Sequence, residues 1–218
     1  MPAATKSVEK LDLKKKYKHL YLPSAKEVTF VEVPELQFTM IDGQIGAGVL
    51  PGGSEEFVDS MGAMYGVGYT LKFMSKLDPE NPLDFTVMAI EGLWSTESGR
   101  FSFDSKVKEP WLYTLLMLQP DHITPDMFQS AVDEAHDKRP GPAFSKMRME
   151  RWCEGPAIQL MHIGPYADEP RSIAMMDAYA QEHRLELHGR HHEIYLGDPR
   201  RAKPENLKTV LRHPVKTS

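Results

Sequence analysis

His191-His192-Glu193-Ile194-Tyr195-Leu196, stopped by Gly197-Asp198-Pro199, is the stretch from which the fold of this chain is read. Its β-branched and aromatic residues, closed by a Gly-Asp-Pro cluster, predict a strand and its end. Successive side chains of a strand point to opposite faces. His192, Ile194 and Leu196 therefore share one face, and His191, Glu193 and Tyr195 the other. With Ile194 and Leu196 packed inward on a helix, Glu193 and Tyr195 point into a concave side, about 6.5–7 Å apart at two strand rises. A carboxylate and a phenol at that spacing bracket a polar ligand group or a water molecule. The competing reading puts Glu193 on a sheet face that meets water and Tyr195 in half-exposed cross-strand packing.

Working outward, Ala157-Ile158-Gln159-Leu160-Met161-His162-Ile163 reads as a strand closed by Gly164-Pro165, 168–183 as a helix with Ile173, Met176 and Tyr179 on one face, and 207–215 as a last strand. The order is β-α-β-β. The first half gives the same order. Gln37-Phe38-Thr39-Met40-Ile41-Asp42 is a strand stopped by Gly43. Ser54-Glu55-Glu56 caps a helix to about Leu77, weakened by Gly62, Gly66 and Gly68 at about 1 kcal/mol each against alanine. Strands follow at 85–91 and 111–118. Thr124-Pro125-Asp126 opens a further helix, and Lys138-Arg139-Pro140-Gly141-Pro142 has linker composition. The expected fold is α+β: tandem pseudo-symmetric β-α-β-β repeats forming a sheet platform, with helices on one face and a central ligand cleft. The expected boundaries are an N-terminal arm at 1–34 and a domain at 35–216, with repeat one at about 35–137 and repeat two at about 155–216.

Composition narrows the function classes. Hydrophobic residues make up 41% of the 218 and charged residues 26%, the balance of a globular protein rather than a disordered one. A net charge of -5 argues against direct nucleic-acid binding, which favours basic domains. The basic run Lys14-Lys15-Lys16-Tyr17-Lys18 reads as a solvated segment. Cys153 is the single cysteine, so no internal disulfide forms and an oxidising compartment gains no support. With no signal-peptide pattern and no membrane-length apolar run, a cytoplasmic protein is expected.

On 111–118, Leu112, Thr114, Leu116 and Leu118 form one face, expected on the helices. Trp111, Tyr113, Leu115 and Met117 form the other, expected toward the cleft. Tyr65 and Tyr69 on the first long helix, with Trp152, His162 and Tyr166, complete the set of ligand-lining candidates. Trp111, Tyr113 and Trp152 are more often core or rim residues than ligand contacts, the cluster of Met61, Met64, Tyr65 and Tyr69 suits helix core and pocket lining equally, and methionine such as Met117 is a gap-filler as well as a forgiving binding surface. His183, His188, His191 and His192 raise a metal hypothesis, but His191 and His192 face opposite ways on a strand and no helical His pair or cysteine pair joins them. No metal is expected. Nucleotide-binding glycine loops and the Gly-x-Ser-x-Gly elbow do not occur.

The stretch 191–201, followed by Pro204-Glu205-Asn206-Leu207-Lys208-Thr209-Val210-Leu211-Arg212-His213-Pro214-Val215, resembles the GyrI-like family of small-molecule-binding domains. So does His162-Ile163-Gly164-Pro165-Tyr166 ahead of the second-half helix. The resemblance covers roughly 30–216 and is most specific at the C-terminal end. It implies two β-α-β-β units around a central cleft. Many members carry a helix-turn-helix DNA-binding domain. The first 30 residues leave no room for one, so the stand-alone type is expected. Some stand-alone members resemble enzymes that hydrolyse cyclopropane-bearing DNA-alkylating natural products, with a cleft glutamate and a tyrosine implicated in ring opening. Here the resemblance points to Glu193 and, as the chosen tyrosine, Tyr195, with Tyr65 and Tyr69 as alternatives. The implied ligand is a hydrophobic aromatic small molecule, and no cofactor is implied. A passive binder of lipophilic cations is the second reading. A protein partner without a small ligand is the third.

Overall fold

The computed structural model describes residues 9–99, 109–198 and 201–217. Residues 1–8 of the expected arm, and Pro199 and Arg200 of the stretch that carries the family resemblance, lie outside them. In chain order the elements are β1 (Glu9–Leu11), α1 (Leu13–Lys16), α2 (Lys18–Tyr21), β2 (Thr29–Ile45), α3 (Glu55–Lys76), β3 (Leu83–Phe85), β4 (Glu91–Thr96), β5 (Trp111–Leu118), α4 (Pro125–Lys138), β6 (Arg148–Ile163), α5 (Glu169–Glu182), β7 (Leu185–Leu187), β8 (His191–Tyr195) and β9 (Lys208–Thr217).

Two long strands determine the architecture. β2 spans 17 residues and β6 spans 16. Each is long enough to pair with two neighbours along different parts of its length. β2 pairs with β5 and with β6, and β6 also pairs with β9. The order β6-β2-β5-β4-β8-β9 thereby closes on itself through β6–β9, every pairing antiparallel. The mixed sheet-and-helix fold is as expected, and the sheet platform takes the form of a barrel-like ring of six strands, with α3 and α5 outside it.

Which face the helices cover is corrected. Residues directly opposite in an antiparallel pair share a face. Tyr113 lies opposite Trp94, Gly92 opposite Glu193, Glu193 opposite Leu211, and Leu211 opposite Leu160. At the β5 end of this face, Tyr113 Oη meets Ser60 Oγ of α3 at 3.0 Å. A Cβ on Gly68 of α3 would lie 2.6 Å from Met117 Sδ. The helix glycines that weaken α3 on paper therefore include one that lets the helix approach the sheet. At the other end, Leu211 and Leu160 pack with Ile158, Met176, Ala180 and Val215 under α5. Each such fully buried aliphatic side chain contributes about 1.5–3 kcal/mol. The face of Trp111, Tyr113, Leu115 and Met117 is thus the helix-covered one. The face of Leu112, Thr114, Leu116 and Leu118 turns into the ring and includes Ile194, so Ile194 does not pack on a helix, and Glu193 and Tyr195 point to the helix-covered side rather than into a concave side opposite it. Parity alone separates two faces but cannot say which one a helix covers.

The strand expected at 85–91 is displaced. β3 ends at Phe85 and pairs in parallel with β1, while the ring uses β4, with the sequence Glu91-Gly92-Leu93-Trp94-Ser95-Thr96. Both faces of β4 are covered, which removes the alternating pattern that marks a half-exposed strand. The helices keep close to their expected limits, capped by Ser54 Oγ accepting from Phe57 N and by Thr124 Oγ1 accepting from Met127 N. Each cap stabilises by about 1 kcal/mol. Leu13, Leu20 and Tyr21, from the segment expected as an arm, are buried in the main core.

Candidate functional site

Glu193 sits on the outer face of the ring, in the seam between the faces packed by α3 and α5, and is only 6% exposed. Its cross-strand neighbour on β4 is Gly92, which offers no side chain. The gap is occupied by Trp94 and Tyr195: a Cβ on Gly92 would lie 2.7 Å from Trp94 Nε1 and 3.0 Å from Tyr195 Oη. Only glycine permits this approach. Trp94 Nε1–H donates to Tyr195 Oη at 2.8 Å, and the Tyr195 hydroxyl hydrogen-bonds Glu193. His191 Nε2 approaches Glu193 Oε1 at 3.3 Å from the same strand face. Trp94, Tyr195 and Glu193 form one directional chain. Burial, reinforced by the Glu193 charge, holds the Tyr195 phenol well above its ordinary pKa, so its proton stays in place.

Two further groups face this carboxylate. Tyr166, in the turn before α5, lies edge-on to Tyr195 with ring centroids 6.1 Å apart. Burial and the negative charge of Glu193 push its phenol up to about 12. Glu169, in the first turn of α5, has no exposed surface, and neither of its carboxyl oxygens has a hydrogen-bond partner among the described residues. Burial, then repulsion by Glu193, raises its pKa to about 9. Burial and the nearby charge of Glu193 both favour the protonated form of Glu169. Two neighbouring buried carboxyl groups among aromatic rings, one bonded by a tyrosine and the other unpartnered among the described residues, are an arrangement suited to proton transfer.

The sequence-predicted residues divide. Glu193, Tyr195 and Tyr166 come together. Tyr65 is close enough to act on the Tyr166 phenol and stacks loosely with Tyr69, at 6.5 Å between centroids. Trp111 reaches the site indirectly, its ring 6.0 Å from Trp94. Tyr113 and Met117 are buried beneath α3 and hold the helix on the sheet. His162 is buried with Nδ1 2.9 Å from Ser172 Oγ and Nε2 3.2 Å from the Pro165 carbonyl, so it ties α5 to β6. Trp152 packs edge-on to Phe38 and to His192, on the inner side of the ring, away from Glu193. Glu169, Trp94 and Gly92 are additions that sequence reasoning missed. An acidic residue in a first helical turn reads as an ordinary dipole partner, and nothing local marks Glu169 as buried.

Inside the ring lies a second polar group. His192 Nε2 is 2.9 Å from Glu91 Oε2, and His192 Nδ1 is 3.0 Å from both oxygens of Glu154. Arg212 donates to Glu154 Oε2 at 3.1 Å, to Gln159 Oε1 at 3.0 Å and to the Leu20 carbonyl at 2.7 Å. Tyr21 Oη donates to Glu91 Oε1 at 2.6 Å. Burial lowers the His192 pKa, but the Glu154 charge and the carboxylate bonds outweigh it, for a net rise. Burial alone raises the Glu154 pKa, yet His192 and Arg212 bring it down to about 2. Every one of these side chains is bonded to another member of the group, so this is a structural network. Among the described residues no group of three or more His, Cys, Asp or Glu side chains is arranged to hold a metal ion. No described helix is long and apolar enough to cross a membrane.

Comparison with known proteins bears on this geometry. A sequence model of the GyrI-like small molecule binding domain matches residues 119–216. An uncharacterized conserved protein from Listeria innocua is 36% identical, covering 94% of this chain and 100% of its own, with a TM-score of 0.81. This chain belongs to the GyrI-like family. Two crystal structures described as hydrolases from Listeria innocua are similar to this GyrI-like chain at 33% and 34% identity. They cover 94% and 95% of it and 100% of their own chains, with TM-scores of 0.78 and 0.80. No curated protein matches it.

Proposed function

We propose that this GyrI-like protein hydrolyses cyclopropane-bearing DNA-alkylating natural products by adding water to the strained ring, protecting the cell that makes it. The substrate is a planar, hydrophobic aromatic molecule held against Trp94, Tyr166, Tyr195 and Tyr65. Glu193 orients and deprotonates the attacking water, and Tyr195, fixed by Trp94, holds Glu193 in place. The observation that carries the reading is the buried Glu193 carboxylate, hydrogen-bonded by Tyr195 in a lining of aromatic rings. The similarity to proteins described as hydrolases supports the reaction type. Water addition of this kind needs no cofactor. The proposed setting is the cytoplasm.

The same reading takes the two halves as tandem repeats. β2 pairs with β5 as β6 pairs with β9, and β4 pairs with β5 as β8 pairs with β9. Glu193 then lies on β8, next to β4, where the halves meet.

Mass spectrometry of a cyclopropane-bearing alkylator incubated with the purified protein tests this. A gain of one water over many turnovers is expected, with loss of turnover in Glu193→Gln. The second reading, a binder that sequesters lipophilic cations, is favoured by the buried Glu193 carboxylate among aromatic rings. It predicts an unchanged ligand and a sharp fall in affinity in the same variant.

A further inference from the structure

We propose that Glu169 is the proton donor of this site: a neutral carboxylic acid that hydrogen-bonds the substrate's carbonyl oxygen and protonates it as Glu193 takes the proton from water. The inference rests on the hydrolytic reading and deepens it by assigning the acid.

Geometry carries the assignment. The Tyr195 hydroxyl accepts from Trp94 and is itself hydrogen-bonded to Glu193. Its one hydrogen is committed to the carboxylate, so Tyr195 positions the base and has none left for the ligand. Glu169 is the opposite case. It is fully buried, with both oxygens unpartnered among the described residues. An unpaired polar group buried in this way destabilises the fold, a cost that a ligand carbonyl would offset. The groups that face or influence Glu169 are Glu193 and Tyr195 on β8 and Tyr166 before the helix, which in turn feels Tyr65 on α3 and Asp198 beyond β8. On the α5–β6 side, His162 is engaged by Ser172 and the Pro165 carbonyl, and Arg171 donates to the Ile163 carbonyl. None of these supplies a cation bonded to Glu169, which agrees with a neutral acid whose pKa stands at about 9. Tyr166, at about 12, holds its proton far more tightly and is the poorer donor near neutral pH.

The step balances. A bond forms between the water oxygen and the exposed cyclopropane carbon. The ring carbon–carbon bond breaks, and its electron pair runs through the conjugated system to the carbonyl oxygen. That oxygen takes the Glu169 proton and becomes a phenol. Glu193 holds the proton lost by water and returns it to Glu169, leaving one water consumed and both side chains restored.

The test compares wild type with Glu169→Gln, which keeps shape and burial. With a cyclopropane-bearing alkylator as the probe, the variant is expected to lose about 10²- to 10⁴-fold in turnover and to retain binding. The alkaline limb of the wild-type pH profile disappears with it. Infrared spectroscopy of wild type at neutral pH should show a protonated-carboxyl stretch that the variant lacks. Turnover and pH profile equal to wild type in the variant, or no carboxyl band assignable to Glu169, would overturn the donor role alone. No water addition by wild type would overturn the hydrolytic reading and the donor role together.

Discussion

His192 and Glu193 are adjacent in β8, yet they serve opposite sides of the sheet. His192 turns into the ring between Glu91 and Glu154, and Glu193 turns out toward the helices and the bonded pair of Trp94 and Tyr195. One strand therefore carries both the polar centre that holds the ring together and the carboxylate assigned to chemistry. Substitutions at the two positions should separate stability from function.

Replacing His192 by alanine should destabilise the protein by about 3–5 kcal/mol, because it removes the central partner of two buried carboxylates, leaving Glu154 with Arg212 and Glu91 with only the Tyr21 hydroxyl. Urea unfolding monitored by tryptophan fluorescence would measure it. Tyr21→Phe removes a hydrogen bond to a charged group and should cost about 1.5–3 kcal/mol. A loss under 1 kcal/mol for His192→Ala, itself about a fivefold change in the folding equilibrium, would contradict the network as described.

Two carboxyl groups should give opposite pH signatures. The folded pKa of Glu154, about 2, lies below its ordinary 4.5. Its contribution is present above about pH 4.5 and is lost as the pH falls through about 2. The folded pKa of Glu169, about 9, lies above 4.5. Its protonation contributes fully below about pH 4.5 and is lost as the pH rises through about 9. The stability of wild type relative to Glu169→Gln should thus decline between those limits. Thermal melts of both proteins across that range check the sign, and a difference that stays flat would count against a neutral Glu169.

Gly92→Ala puts a methyl group against Trp94 Nε1 and Tyr195 Oη. It should cost about 1–3 kcal/mol by overpacking and disturb the bond that orients Tyr195. Turnover should fall more than binding. An alanine variant with wild-type stability and turnover would show that the close approach has no role.

Trp94→Phe keeps an aromatic ring but removes the N–H that Tyr195 accepts. Tyr195 then loses one of its two anchors and keeps only its bond to Glu193, and kcat should fall with little change in KM. A matching defect in Tyr195→Phe, with no further loss in the double variant, would place both in one chain acting on Glu193.

Much of this was legible in the residues. The strands at 111–118 and around 191–196, the helices after Ser54 and Thr124, and the placement of Glu193 with Tyr195 on one strand face all followed from turn residues, caps and period-two alternation. The ring closure was not, because strand pairing is a property of distant segments: β6 must meet both β2 and β9. The choice of face on β5 failed because alternation separates two faces without saying which one a helix covers, and β4 was displaced for a related reason. A strand covered on both sides, such as β4 with Glu91, Gly92 and Trp94, shows no alternation to read. Glu169 stayed hidden because the groups that act on it, Glu193 and Tyr195, lie on a separate element, β8. Trp94 stayed hidden because its partner, Tyr195, is 101 residues away.

The central claim is that Glu193 activates water in this site, and mass spectrometry of the small molecule tests it most directly. Wild type and Glu193→Gln would be incubated with a cyclopropane-bearing alkylator at equal occupancy, established beforehand by fluorescence titration. The account predicts conversion of many equivalents to the product heavier by one water with wild type, and bound but unconverted compound with the variant. Undiminished conversion by Glu193→Gln, or binding without conversion by wild type, would contradict it.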